Sequence, residues 1–140
     1  MSVDFYDSNV FIYLFDAAAE GKRLKAGELV RSAHENHTAC ISFQIVQETL
    51  NVLTRKLATP VTPEHAKDFL RETLIPLVRV WSSERLYVEA LRLKGRYGFS
   101  FYDSLIVAAA LEAGCKRLLT EDLQNGQRIE GLRIENPFQA

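Results

Sequence analysis

The sequence has little that could serve as a covalent or metal staple. It contains two cysteines, Cys40 and Cys115, far apart and in no C-x-x-C pair. That excludes a disulfide framework and the usual zinc spacing, and predicts two free thiols. Histidines number three, His34, His37 and His65, and are expected at helix ends or in a loop. No apolar run approaches the roughly 20 residues needed to span a bilayer. The first residues, Met1 to Phe5, lack the basic and apolar regions of a secretory signal, so the cytoplasm is the expected compartment. Charge of one sign is also missing: 17 basic against 18 acidic residues leave a net charge of −1. The chain as a whole therefore does not attract polyanions, and a nucleic-acid role would need a local basic patch.

What remains is an ordinary globular composition, 47% hydrophobic and 25% charged over 140 residues. Such a length predicts one domain spanning 1–140, with enough core to fold unaided.

Val3 to Asp7 reads as a strand ending on an acid, followed by Ser8-Asn9 as an N-cap for a helix over Val10 to Phe15. Glu20 to Asn36 is amphipathic, and Thr38 to Ile41 is a second strand. Beyond Ser42, Phe43, Val46, Leu50, Leu53 and Leu57 recur at helical steps. Thr59-Pro60 ends that helix. Thr62 with Pro63 opens another that runs to about Leu74. Leu77 to Val80 is a strand, and Ser82 or Ser83 caps a helix over Glu84 to Tyr97, stopped by Gly98. Ser100 caps Phe101 to Ala113, stopped by Gly114. Lys116 to Thr120 and Leu132 to Ile134 are the last strands. Roughly five strands alternate with helical crossovers, which implies an α/β fold with a mostly parallel sheet and helices on both faces.

Ligands in such sheets bind beyond the carboxyl ends of the strands. Asp7-Ser8-Asn9 follows the first strand and Thr120-Glu121-Asp122 the fourth. Gln44, Gln47 and Glu48 lie on the helix after the second. Asp103 opens a helix that continues Leu105 to Leu111 without a charge, so its own face is apolar, and a charge there requires a partner. Each acid has an ordinary alternative: Asp7 could cap a helix, Asp103 could serve a helix dipole, Glu48 could be a solvated boundary residue, and Asp122 could cap a turn. Taken together, crowded carboxylates repel and call for a cation. Carboxylate oxygens without histidine suit Mg²⁺ or Mn²⁺ rather than zinc.

The ordered set D-S-N, Q-E, Y-D-S and L-T-E-D-L resembles the PIN-domain nucleases, in particular the VapC-type toxins of toxin–antitoxin pairs, over essentially the whole chain. The resemblance implies a Rossmann-like three-layer α/β/α sandwich and Mg²⁺- or Mn²⁺-dependent endoribonuclease activity leaving 5′-phosphate and 3′-hydroxyl ends. It carries the catalytic metal-site acids onto Asp7, Glu48, Asp103 and Asp122, with Ser8, Asn9, Thr120 and Glu121 in support. It also implies a homodimer and a cognate antitoxin. One departure concerns the last acid. Many relatives place it further along, where this chain has Asn125, so Glu121 and Asp122 compete for that role.

Candidate RNA-phosphate contacts are Arg55, Lys56, Lys94 and Arg96, with Lys22, Arg23 and Lys25. Tyr6, Tyr13, Trp81 and Phe99 could stack on bases, with core packing the ordinary alternative for most of them, and Phe11, Tyr13, Leu14 and Phe15 could form a dimer or antitoxin contact. A receiver-type phosphoacceptor would need an acid pair after the first strand and a late lysine loop. A D-x-D phosphatase would need an acid at Asn9, and a metal-free ribonuclease a histidine cluster. The remaining rival is a catalytically inactive PIN-like RNA-binding or assembly module.

Overall fold

The computed structural model describes residues 2–139. Its sheet has six strands in the order β3-β2-β1-β4-β6-β5 among the described residues. They are β1 (Asp4–Tyr6), β2 (Ala39–Ser42), β3 (Val78–Val80), β4 (Arg117–Leu119), β5 (Arg128–Ile129) and β6 (Leu132–Glu135). All pair in parallel except β5, which forms an antiparallel hairpin with β6. The hairpin strand β5 is an addition to the expected five, and two residues are too few for any period to register.

Among the described residues six helices flank the sheet: α1 (Ser8–Ile12), α2 (Glu20–Asn36), α3 (Phe43–Arg55), α4 (Pro63–Phe69), α5 (Glu84–Tyr97) and α6 (Phe101–Glu112). None is long and apolar enough to cross a membrane. The caps at Thr62, Ser83 and Ser100 form as the side-chain chemistry predicts, each accepting a backbone N–H three residues on. Gly98 ends α5 at φ 78°, a left-handed conformation that costs glycine nothing. The α4 segment continues through a wide turn, Leu70–Leu74, and a 3₁₀ turn, Ile75–Leu77, around Pro76.

Two local expectations are corrected. The first helix begins at Ser8 and is capped by Asp7, not by Ser8 or Asn9; after Ile12 it tightens into a 3₁₀ turn, Tyr13–Phe15. On α3 the deeply buried residues are Gln44, Ile45, Thr49 and Leu53. Phe43, Val46 and Leu50 are partly buried at the margin of the core. The helix packs on two sides, against the sheet and against its helical neighbours α1 and α4, so its apolar surface is wider than one stripe.

From β1 the chain steps outward through β2 to β3, then crosses back to place β4 on the other side of β1. The strand order therefore reverses between β1 and β4, and a crevice opens at their carboxyl ends. Strand β1 is anchored there by the buried Phe5, and β4 by Leu118 and Leu119. Helix α6 is buried from Ser104 to Ala110, as its uninterrupted apolar run requires. Cys40 and Cys115 are buried free thiols in contact, their sulfurs 3.5 Å apart.

Candidate metal centre

Asp7 ends β1 at the crevice and is 4% exposed. Its carboxylate accepts from the Ser8 backbone N–H at 2.7 Å and from the Thr120 hydroxyl at 2.7 Å. Both donors are neutral, and no ion pair among the described residues reaches it. Burial pushes its pKa up to about 6; the Thr120 and Ser8 bonds pull it down, and the charges of Glu48 and Asp122 push it up again. A rise from 3.8 to about 6 is roughly 3 kcal/mol of preference for the protonated form.

Glu48 stands half-buried on α3, one turn beyond Gln44. Burial raises its pKa, opposed by hydrogen bonds from Gln44 and Ser8 and assisted by Asp103 and Asp122. The Gln44 amide donates to Glu48 Oε2 at 3.2 Å and to the Tyr102 carbonyl at 3.1 Å, tying α3 to the first turn of α6 where Asp103 sits. Asp122 is exposed, and its Oδ2 accepts from Asn9 Nδ2 at 3.3 Å. Desolvation raises its pKa as well, with Glu121 and Asp103 adding to the rise and the Asn9 bond opposing it.

The charges of Glu48 and Asp122 thus bear on Asp7, and that of Asp103 on Glu48 and Asp122, although the four acids come from four segments. Asp103 differs from expectation. It is half-buried rather than enclosed, because the buried run of α6 begins only at Ser104. Its backbone N–H receives the Ser100 cap, leaving the carboxylate outside the helix-capping role.

Glu121 and Asp122 diverge although they are neighbours. Glu121 turns to Tyr13 and Lys22, while Asp122 turns to Asn9 and the other acids. Asn125 accepts from the Asn136 backbone N–H at 2.9 Å and serves the C-terminal segment. Thr120 is fully buried; beyond its bond to Asp7 it accepts the Asp122 N–H at 3.0 Å, so one hydroxyl fixes both acids. Gln44 and Tyr13 enter the site without having been singled out as supports. The i, i+4 spacing of Gln44 to Glu48 was the available signal for one; nothing local marks the other.

The remaining sequence candidates lie elsewhere. Arg55 and Lys56 are exposed at the far end of α3; seven residues separate Arg55 from Glu48, about 10 Å along the axis. Lys94 donates to the Phe99 carbonyl at 3.4 Å and Arg96 lies 5.4 Å from the Tyr97 ring centroid. Tyr6 is core, its hydroxyl bonded to the Leu29 carbonyl, and Phe11 is fully buried, so neither can stack on a base or meet a partner. Trp81 is well exposed. His34 bonds the Thr73 carbonyl and takes no part in the site.

A hard cation fits the donor set. All four acids offer oxygen, no basic side chain offsets Asp7, and two buried oxygens beside them, Asn9 Oδ1 and Gln44 Oε1, have no partner. Among the described residues no group of three or more His, Cys, Asp or Glu is close enough to grip an ion directly. An open cluster of this kind suits Mg²⁺, which keeps several waters and uses one or two carboxylates, better than Ca²⁺, which collects six to eight oxygens.

The family model of the PIN domain matches residues 5–128, from β1 into β5. The chain belongs to the PIN-domain family. Among solved structures it is similar to a toxin–antitoxin complex from Klebsiella pneumoniae, with a TM-score of 0.70, 18% identity and coverage of 98% of this chain and 99% of that one. It is also similar to the sarcin–ricin-loop-cleaving toxin VapC20 of Mycobacterium tuberculosis, with a TM-score of 0.63, 21% identity and coverage of 85% and 91%. A DNA-bound VapBC complex from Salmonella typhimurium matches with a TM-score of 0.65, 22% identity and coverage of 98% and 99%. At these identities the PIN domain shares its fold with VapC toxins. No curated protein matches it in sequence.

Proposed function

We propose that residues 1–140 form one Mg²⁺- or Mn²⁺-dependent endoribonuclease domain, the toxin of a toxin–antitoxin pair. The carrying observation is Asp7: a buried carboxylate with only neutral donors, facing other acids at the switch point of a PIN sheet. When bound, the ion would offset charge on the scissile phosphate and acidify the attacking water. Asp7, Glu48, Asp103 and Asp122 are the proposed holders. Thr120 and the Ser8 N–H orient Asp7, Asn9 orients Asp122, and Gln44 orients Glu48. Asp122 rather than Glu121 is the fourth acid, since Glu121 is already engaged by Tyr13 and Lys22.

A toxin of this kind would act on RNA in the cytoplasm. The toxin–antitoxin complexes among the structural neighbours support a cognate antitoxin, and the exposed Trp81, Val88, Leu91 and Tyr102 support a protein partner or a second copy. The open spacing of the acids favours one second reading, an inactive RNA-binding module. Incubation of structured RNAs with Mg²⁺, Mn²⁺ or chelator, beside Asp7→Ala and Asp103→Ala, separates the two. Cleavage lost in chelator and in both variants supports the nuclease. Cleavage that survives either treatment overturns the metal site, and RNA binding with no cleavage under any condition selects the module.

A further inference from the structure

Each residue of the Thr120–Asp122 turn is bonded to a side chain from the segment that follows β1. Thr120 meets Asp7 at 2.7 Å, Asp122 meets Asn9 at 3.3 Å, and Glu121 Oε1 accepts from the Tyr13 hydroxyl at 2.6 Å. Nothing in the proposed chemistry uses the last of these bonds, yet it is the shortest. Tyr13 is itself fixed: its ring packs edge-on against Phe138, with centroids 4.8 Å apart. Lys22 closes the cluster, donating to the Tyr13 hydroxyl at 3.1 Å and lying 3.5 Å from Glu121 Oε2. It is the one cation paired to this turn among the described residues.

We propose that Tyr13 and Glu121 are positioning residues of the candidate metal centre, holding the Thr120–Asp122 turn so that Asp122 faces Asp7. Asp122 is exposed and bonded only through a long amide contact, so its own side chain cannot fix where it points. A turn residue is fixed by its neighbours. Thr120 clamps one side from the buried floor, and Glu121 clamps the same turn from the rim. Lys22 offsets the charge of Glu121, which keeps that carboxylate out of competition for a cation. Two adjacent acids are thereby sorted into an anchor and a ligand.

This inference rests on the reading of the acids as a metal site, and the test separates the two. Mn²⁺ binding is measured by calorimetry on the wild type, Asp7→Asn, Tyr13→Phe, Glu121→Ala and Glu121→Gln, with amide hydrogen exchange at Asp122 followed in the metal-free forms. Tyr13→Phe and Glu121→Ala are expected to weaken Mn²⁺ about fivefold, the scale of one partly exposed hydrogen bond, and to speed exchange at Asp122. RNA cleavage in both should lose kcat with little change in KM. Glu121→Gln keeps an oxygen for the Tyr13 hydroxyl and should recover most of the loss. If Glu121→Gln is as damaging as Glu121→Ala while Tyr13→Phe binds like the wild type, Glu121 is a ligand and the proposal fails. Wild-type affinity and unchanged exchange in both Tyr13→Phe and Glu121→Ala also overturn it. Equal Mn²⁺ binding by Asp7→Asn and wild type instead sinks the metal site, while faster Asp122 exchange in Tyr13→Phe would still uphold the clamp.

Discussion

Asp4 and Asp7 flank the same short strand and have opposite electrostatic lives. Asp4 is gripped by both arms of Arg117, at 3.0 and 2.6 Å, and Arg117 reaches on to Glu135, which also pairs with Arg133. Registered strands make this row: Asp4 lies beside Arg117, and Arg117 beside Arg133. Asp7, three residues later, is more deeply buried and pairs with no cation among the described residues. Every charge in the first group is answered inside the chain, whereas no ion pair among the described residues answers Asp7. The difference separates acids that the fold pairs internally from acids that the proposed metal site would use.

The sharpest way to break the comparison is to neutralise each member of the pair. Asp7→Asn should lower RNA cleavage by more than about 100-fold, since even outer-shell partners of metal ligands cost 10–100-fold. The same variant should be more stable than the wild type when metal-free at pH 8, by at most roughly 3 kcal/mol, the burden implied by the raised pKa. The sign follows from proton counting. Between about pH 4 and 6 the folded chain holds a proton on Asp7 that the unfolded chain has lost, so rising pH erodes stability through that window. Asp7→Asn lacks this slope, and its advantage should vanish near pH 4. Thermal melts across pH, in chelator, would read it; a wild type whose stability rises through that window by this residue would contradict the assignment.

Thr120→Val should come next. It removes the hydroxyl that donates to Asp7 and accepts from Asp122, so a 10–100-fold loss in Mn²⁺ affinity or turnover is expected. Mn²⁺ affinity should also weaken as pH falls through about 6, because Asp7 must lose its proton to ligate and its pKa lies there. A flat titration between pH 5 and 8 would remove Asp7 from the ligand set. The smallest effect should come from the compensated group. Arg117→Met should cost about 1 kcal/mol in chemical denaturation, since the side chain is 40% exposed and its charge partly screened, and should leave Mn²⁺ affinity unchanged.

Much of this architecture was legible residue by residue. The caps at Thr62, Ser83 and Ser100 and the stop at Gly98 are local chemistry, and they formed where side chains and φ preferences dictate. The hairpin strand β5 escaped because two residues carry no pattern. The apolar helical neighbours of Asp103 predict enclosed surroundings, but a first-turn residue protrudes beyond the buried run. Tyr6 lies in the core, the ordinary reading for most of the aromatics, whereas Phe11 is expected at a partner contact and is core too, because burial is decided by what packs above a residue.

The local order of residues determined the strands, the helices and the presence of acids after β1 and β4, because dihedral preference, capping and apolar period act over a few neighbours. Which acid meets arginine and which meets only hydroxyls and amides was decided by tertiary structure alone. Thr120 lies 113 residues from Asp7, as does Arg117 from Asp4. Only strand register brings such distant partners within hydrogen-bond reach, and no local pattern records it.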